Sequence, residues 1–291
     1  MKDKFLRTIL KLQTDEITGR KIYQVIAKSI KDPNKKASLL EIADEEKKHY
    51  NIYKGYTNQD VSYKKGKVFI YFLLSKLFGY TFTIKLLEHE EDRGLAVLYN
   101  SKISDKVLDT KEIREQEEEH EDILIGMLDE DRVQYISSII LGLNDALVEI
   151  SGSLAGFTFA MQNTKITALA GFITGISATL SMAFSQYLAE KSGGNKNYLK
   201  SSLYTGISYF FTVLLLISPY LFFPKNMYIP ALIITLLIVV IIISIFTFYI
   251  SIIKKVSFKK RFFEMLSISM GVSLFSFILG IVAKKFLGIE T

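Results

Sequence analysis

The sequence predicts an all-α protein, with a soluble four-helix bundle followed by five membrane-spanning helices. The 291 residues are 49% hydrophobic with a mean hydropathy of +0.24, which is too apolar for a chain that lies entirely in water. Four prolines against 17 glycines suit long helices. The charge changes near Arg132, from a net −1 over residues 1–132 to a net +7 over residues 133–291. We therefore expect one domain over 1–132 and a second over 133–291.

The first two predicted helices carry acidic residues on their inward stripes. The first, about 3–31, ends at Asp32-Pro33 and places Glu16 in line with Leu12 and Tyr23. The second, about 34–54, has Glu46 and His49 three residues apart, between apolar residues of the same face. Other acids, Glu45 among them, are interpreted as a solvated surface.

The third and fourth predicted helices repeat this pattern. The third, about 80–101, offers Glu88 and Glu91, and the fourth, from about residue 105, offers Glu117 and His120. Buried carboxylates without partners cost several kcal/mol each, so cations are needed at the centre. A Glu-x-x-His on two helices with Glu on the other two is the ligand set of a di-iron or di-manganese bundle. We therefore expect two Fe or Mn ions held by Glu16, Glu46, His49, Glu88, Glu91, Glu117 and His120.

Residues 67–79 form a short apolar stretch between the second and third helices. It is interrupted by Lys76 and is too short to cross a bilayer. The edge of the bundle core, a partner subunit and the membrane surface all remain possible positions for it.

Five apolar stretches follow Arg132, and each is long enough to cross about 30 Å of hydrocarbon as a helix. They lie near 133–161, 166–190, 203–223, 229–253 and 262–282. Eight Lys and Arg residues fall in the second-to-third and fourth-to-fifth loops, against four at the opposite ends. This bias predicts a multi-pass protein of the cell membrane with a cytoplasmic N-terminal domain and an outside C-terminus.

The first two spans carry polar groups where lipid is expected. Asp145 and Glu149 share a helical face with Gly152 and Gly156, a pattern that permits close helix packing. A carboxylate at this depth costs about 2.5–3.5 kcal/mol, which favours a polar cavity. The second span offers Gly171, Gly175, Ser177, Ser181, Met182 and Gln186. We expect a cation path that includes Asp145, Glu149, Met182 and Gln186, with a structural hydrogen bond as the alternative for Asp145.

The absence of cysteine excludes disulfides, thiolate metal sites, iron–sulfur clusters and catalytic thiols. The pI of about 9.1 arises from the apolar half, so we interpret it as loop charge and expect no nucleic-acid partner.

These motifs resemble two known families. The N-terminal part is similar to a rubrerythrin-type ferritin-like domain, in which the third helix also offers two glutamates. The C-terminal part resembles the vacuolar iron transporter family through LGLNDALVEISGSLAGF and LSMAFSQYLAEKS. Their order resembles the membrane-bound ferritin-like proteins of prokaryotes. The resemblance implies a homodimer with a path at its interface, proton-coupled export of Fe(II) or Mn(II), and in-membrane metal positions at Asp145 and Met182.

The sequence also departs from these families. Plant-type transporters carry an acidic metal-binding insertion between the second and third spans, where this chain has only 191–200. The N-terminal bundle is a candidate substitute. Ala146 replaces the glycine that usually follows the family aspartate, and without cysteine there is no rubredoxin centre.

Three functions fit these observations. The first is a transporter whose bundle captures or oxidises the metal. The second is a membrane-anchored di-iron oxidase or peroxidase whose spans serve mainly as an anchor. The third is a transporter in which the bundle senses metal and sets the threshold for transport. The carboxylate and imidazole ligands suit Fe and Mn alike.

Overall fold

The computed structural model describes residues 2–99, 113, 115–117, 120, 123, 124 and 135–286. Within these residues the secondary structure is helical, without a strand, as predicted. The chain divides into two compact units, Met1–Val133 and Gln134–Thr291.

Within its described residues, the N-terminal unit contains four helices whose two ends are both defined. They are α1 (Lys2–Ala27), α2 (Pro33–Thr57), α3 (Lys65–Phe78) and α4 (Tyr80–Tyr99). Helices α1 and α2 pair along their length, and α3 and α4 pack against α1. The described residues of 113–124 are also helical; most of the predicted fourth ligand-bearing helix lies outside the described residues.

Local capping explains the turn between α1 and α2. The Asp32 side chain accepts hydrogen bonds from the backbone N–H groups of Asn34 and Lys35 at 2.9 and 3.3 Å. Pro33 follows at the first helical position, where no N–H is needed. The α2 helix ends at Thr57 and is capped by Asn58, whose φ of 51° is left-handed. These two caps define the beginning and the end of α2.

The predicted apolar stretch 67–79 forms the separate helix α3. Val68 and Tyr71 are buried, whereas Phe69, Ile70, Leu73 and Leu77 are exposed in the isolated chain. Gly79, with a φ of 92°, joins α3 to α4 in a conformation that favours glycine. One face of α3 thus packs in the bundle, and the other face carries these four exposed apolar side chains.

The C-terminal unit contains five helices that are long and apolar enough to cross a membrane, as predicted. They are α5 (Ile136–Met161), α6 (Thr164–Ser192), α7 (Tyr198–Phe222), α8 (Tyr228–Ile253) and α9 (Phe258–Phe286). The α5 helix is central and packs against the other four. Apolar side chains on the outer faces remain exposed, as expected for surfaces that contact lipid.

The beginning of α6 is fastened to the end of α7. The backbone N–H of Thr164 donates to the Lys225 carbonyl at 3.1 Å, and the Thr164 hydroxyl donates to the Pro224 carbonyl at 3.2 Å. Lys165 Nζ donates to the Leu221 carbonyl at 2.5 Å. Four polar contacts of this kind satisfy carbonyls at the helix end and hold this end of α6 in place.

Candidate metal centres

The predicted ligands of the N-terminal unit lie together, and we call them the bundle site. One group comprises Glu16 on α1, Glu46 and His49 on α2, and Glu117; a second comprises Glu88 and Glu91 on α4 with the same Glu117. In each group one ligand atom per residue lies within 4.8 Å of the others. His120 Nδ1 lies 3.6 Å from Glu117 Oε2 and 3.9 Å from Glu46 Oε1. Each group is compact enough to hold a metal ion.

The bundle site is largely buried, and several of its carboxylate oxygens accept no hydrogen bond from the described residues. Glu46, His49 and His120 are fully buried, and Glu16 and Glu117 are nine-tenths buried. Nδ1 of His49 lies 3.1 Å from Glu117 Oε1, and Nδ1 of His120 lies 3.6 Å from Glu117 Oε2. Among the described residues, neither carboxylate oxygen of Glu46 or of Glu91 accepts a hydrogen bond. Each such oxygen costs about 1–3 kcal/mol when unsatisfied, and more when charged. Two divalent cations would satisfy them, so the residues present fit Fe(II) or Mn(II).

The crowding of charged groups in the bundle site shifts the pKa values of its residues. Burial and the charges of neighbouring carboxylates raise the pKa of Glu46 and of Glu91 well above the usual range. Burial alone would lower the pKa of His49, but hydrogen bonds to Glu117 and Glu16 raise it to about 10. Burial opposes ionisation of Glu117, yet His120 and His49 lower its pKa to about 2. These shifts favour the protonated forms of Glu46, Glu91 and His49, and a metal ion would compete with those protons.

The two imidazoles are held by residues from the opposite Glu-x-x-His segment. His49 Nε2 lies 2.8 Å from Gln116 Oε1, and His120 Nε2 lies 2.5 Å from Glu45 Oε2. Because both partners are acceptor oxygens, each imidazole donates from Nε2, which directs Nδ1 toward the bundle site. Glu45 is only 27% exposed. The interpretation of Glu45 as part of a solvated surface was therefore wrong.

Two further residues of α1 contact the ligands. The buried phenol of Tyr23 donates a short hydrogen bond to Glu88 Oε1. A Cβ at Gly19 would lie 2.8 Å from Glu91 Oε1 and 3.3 Å from Glu46 Oε2. The sequence shows that Glu16, Gly19 and Tyr23 share one face of α1. It does not show that Tyr23 contacts a ligand, because a tyrosine on a buried stripe usually packs among apolar side chains. His89, outside the predicted set, is exposed.

The polar residues of the first two spans line a groove of about 490 Å³, which we call the membrane groove. Its lining residues are Asp145, Glu149, Ile173, Thr174, Ser177, Ala178, Ser181, Met182 and Ser185. Asp145 is partly buried and Glu149 is exposed in the isolated chain. The fully buried Tyr209 of α7 donates to Glu149 Oε2 at 2.6 Å. Two carboxylates, hydroxyls and a thioether thus share one cavity wall.

Gln186 lies outside these lining residues. Its Nε2 donates to Glu190 Oε1 at 2.7 Å, and Glu190 Oε2 accepts from Asn195 Nδ2 at 2.6 Å. Gln186 and Glu190 therefore belong to a polar cluster at the end of α6.

The small residues of the first two spans pack against different helices. Gly152 and Gly156 of α5 contact Val272 and Ser276 of α9. Gly171 of α6 packs on Leu154 of α5, and Gly175 packs on Val213 of α7. Small residues permit close approach but do not specify a partner. The part of α5 that carries Asp145 and Glu149 therefore faces the groove that it shares with α6. The part that carries Gly152 and Gly156 is covered by α9.

Comparison with known proteins places the class of this membrane unit. Residues 136–197, which contain α5, α6 and all nine groove-lining residues, match the model of the VIT family. Together with the five apolar helices, this match supports a VIT-type membrane domain. No curated protein and no solved structure matches the chain. The VIT match is the same resemblance that the sequence motifs of the first two spans indicated.

Proposed function

We propose that this protein exports divalent iron or manganese from the cytosol in exchange for protons, and that its N-terminal unit is a ferritin-like, rubrerythrin-type di-metal domain serving that transport. The VIT match suggests membrane transport of iron or manganese. The ligand geometry of the bundle site supports metal binding in the N-terminal unit.

The observation that carries the transport proposal is the membrane groove. Asp145 and Glu149 face the same cavity as Met182, within the segment that matches the VIT family. Carboxylates in a span are costly unless they serve a polar path. A thioether beside them favours borderline cations such as Fe(II) over Na⁺ or Mg²⁺. Protons and metal ions compete for the same carboxylate oxygens, so exchange requires no further device.

The exposure of Glu149 supports a homodimer. A carboxylate that faced lipid at this depth would cost about 2.5–3.5 kcal/mol. A second copy laid against the membrane groove would cover Glu149 and place two sets of carboxylates around one path. The lysines of the α6–α7 and α8–α9 loops favour a cytoplasmic position for these loops and for the N-terminal unit, with the C-terminus outside.

Proteoliposomes loaded with a metal-sensitive dye test the transport proposal. The purified protein should carry Fe(II) and Mn(II) down an imposed gradient, with flux that depends on the pH difference. Asp145→Ala should abolish this flux. Glu264→Gln is the matched control, because Glu264 pairs with Arg261 outside the membrane groove and also loses one charge. Absence of pH-dependent flux, or flux indifferent to Asp145→Ala, would refute the proposal.

The same flux assay distinguishes between two roles of the bundle site, capture of metal and sensing of metal. If the bundle captures metal, Glu46→Ala lowers flux at limiting metal and leaves flux at saturating metal unchanged. If it senses metal, the same variant shifts the concentration at which flux begins.

A buried phenol beside the ligands favours one second candidate, a membrane-anchored di-iron oxidase or peroxidase. Tyr23 donates to Glu88 in an enclosed site, and a phenol is an oxidisable group. In this case two Fe(II) ions are oxidised by one hydrogen peroxide with two protons, yielding two Fe(III) ions and two waters. Rapid peroxide-dependent oxidation that survives Asp145→Ala, with no metal flux in the wild type, would favour the oxidase.

A further inference from the structure

The two halves of the bundle site differ in charge although their motifs are alike. The residue before each motif glutamate holds the histidine of the other motif, so the pairing is reciprocal. One of these residues is Glu45, an anion, and the other is Gln116, a neutral amide. A carboxylate behind a histidine makes its imidazole a more basic ligand than an amide does.

The ligand carboxylates themselves are divided evenly between the two groups. Glu16 and Glu46 lie with His49 and Glu117 in one group, and Glu88 and Glu91 lie with the same Glu117 in the other. His120 Nδ1 lies 3.6 Å from Glu117 Oε2 and 3.9 Å from Glu46 Oε1. The difference between the two histidines therefore lies in the residues behind them, Glu45 and Gln116.

We propose that the bundle site fills in order, with the position beside His120 taking the first divalent cation tightly and the position beside His49 taking a weaker, exchangeable second cation. This inference rests on the proposed function, since it requires that the bundle bind two cations. Its consequence for transport is that one cation is resident and stabilises the bundle. The other is the one that can be passed on or that reports the metal concentration.

Titration of the full chain with Mn(II), by calorimetry and electron paramagnetic resonance, tests this order. The protein is purified in detergent and made metal-free, and Asp145→Ala is included in every variant so that the membrane groove contributes little. We expect two binding steps whose Kd values differ by about tenfold or more, the range that such supporting residues control. His49→Ala should keep the tighter step, and His120→Ala should lose it.

Reciprocal exchange of the two supporting residues is the sharper test, because Glu and Gln have nearly the same shape. Glu45→Gln should weaken the first step, and Gln116→Glu should tighten the second, each by about tenfold. The double variant Glu45→Gln, Gln116→Glu conserves composition and net charge. It should reverse the order, so that His49→Ala rather than His120→Ala now abolishes the tight step.

The outcomes separate the inference from the function on which it rests. Two Mn(II) ions bound with equal affinity, or an order unaffected by the double exchange, would overturn the inference and leave the di-metal site intact. Failure of the metal-free bundle to bind Mn(II) at all would overturn the proposed function of the N-terminal unit itself.

Discussion

Tyr209 donates a hydrogen bond to Glu149 across the α5–α7 contact, with 2.6 Å between the two oxygens. The tyrosine is fully buried, whereas the carboxylate lines the membrane groove. With Oε2 engaged by the phenol, Glu149 presents Oε1 in a fixed orientation. A carboxylate near the middle of a span is thus both positioned and partly satisfied by a residue that does not line the groove.

Tyr209→Phe should therefore raise the KM for Mn(II) flux in proteoliposomes while the maximal rate changes less. Hydrogen bonds to charged groups contribute about 1.5–3 kcal/mol, so a tenfold or larger effect is expected. Tyr220→Phe is the control: Tyr220 is equally buried on α7 and bonds to Thr158 Oγ1 at 2.6 Å, outside the groove-lining residues. An equal change of KM in both variants would contradict a specific role for Tyr209.

Gly19→Ala should reduce metal binding by the bundle without unfolding it. The added methyl group must displace the carboxylate of Glu91, whose oxygen would lie 2.8 Å from it. Alanine in a helix interior is itself more favourable than glycine by about 0.5–1 kcal/mol. We expect the Tm of the metal-free protein to be maintained and the increase in Tm on adding Mn(II) to shrink. Gly55→Ala on α2, where nothing lies within 4 Å, should keep the full increase.

Raising the pH should destabilise the metal-free N-terminal unit. The pKa of His49 is raised from 6.5 to about 10, so its stabilising contribution is complete below pH 6.5 and is lost as the pH rises toward 10. The raised pKa values of Glu46 and Glu91 act in the same direction, because the fold retains protons that the unfolded chain has released. The lowered pKa of Glu117 matters only below about pH 4.5.

Circular dichroism melts at pH 6.5, 8 and 9.5 check this expectation. The Tm of the chelator-treated protein should fall across the series, and saturating Mn(II) should flatten or reverse the trend because the cation replaces protons. Glu46→Gln, which cannot ionise, should show a smaller fall. A Tm that rises with pH in the metal-free wild type would count against the buried, proton-holding site.

Gly280→Ala should destabilise the membrane unit. A methyl group at this position would meet the carbonyl oxygen of Gly156 where α9 crosses α5. Backbone cannot move aside as a flexible side chain can, and overpacking of this kind costs about 1–3 kcal/mol. Gly271→Ala, on the same helix with nothing within 4 Å, should leave thermal inactivation in detergent unchanged. Similar inactivation temperatures for the wild type, Gly271→Ala and Gly280→Ala would show that the α5–α9 contact accommodates the added methyl group.

The number and type of membrane helices could be predicted from sequence because long apolar runs have few other structures. The ends of these helices could not be predicted in the same way. The α7 helix begins at Tyr198 and α9 at Phe258, several residues before the predicted starts, since polar residues such as Ser201 and Lys260 extend a helix beyond its apolar core. The partners of Gly152 and Gly156 were also beyond prediction, because glycine spacing carries no information on which helix approaches.

In the bundle, periodicity predicted which side chains converge, since a buried Glu-x-x-His on a helix stripe has a definite direction. The residues that support the ligands were not predictable in the same way. Glu45 lies at the edge of the polar face, and its contact with His120 depends on the angle between two helices. Glu45 contacts the histidine of the other motif, and so does Gln116. This reciprocal pairing can be recognised in the sequence only once the two segments are known to face each other.

The hydrogen bonds from Thr164 and Lys165 to the carbonyls at the end of α7 make the first turn of α6 a fixed point. The helix rises about 1.5 Å per residue, so Met182 lies about twice as far from this point as Ile173 does. If α6 tilts as a rigid helix about this fixed point, the Met182 thioether moves about twice as far as the groove wall at Ile173, because displacement grows with distance from the fixed point. The sulfur is therefore more sensitive to small rotations of α6 than the groove wall at Ile173 is.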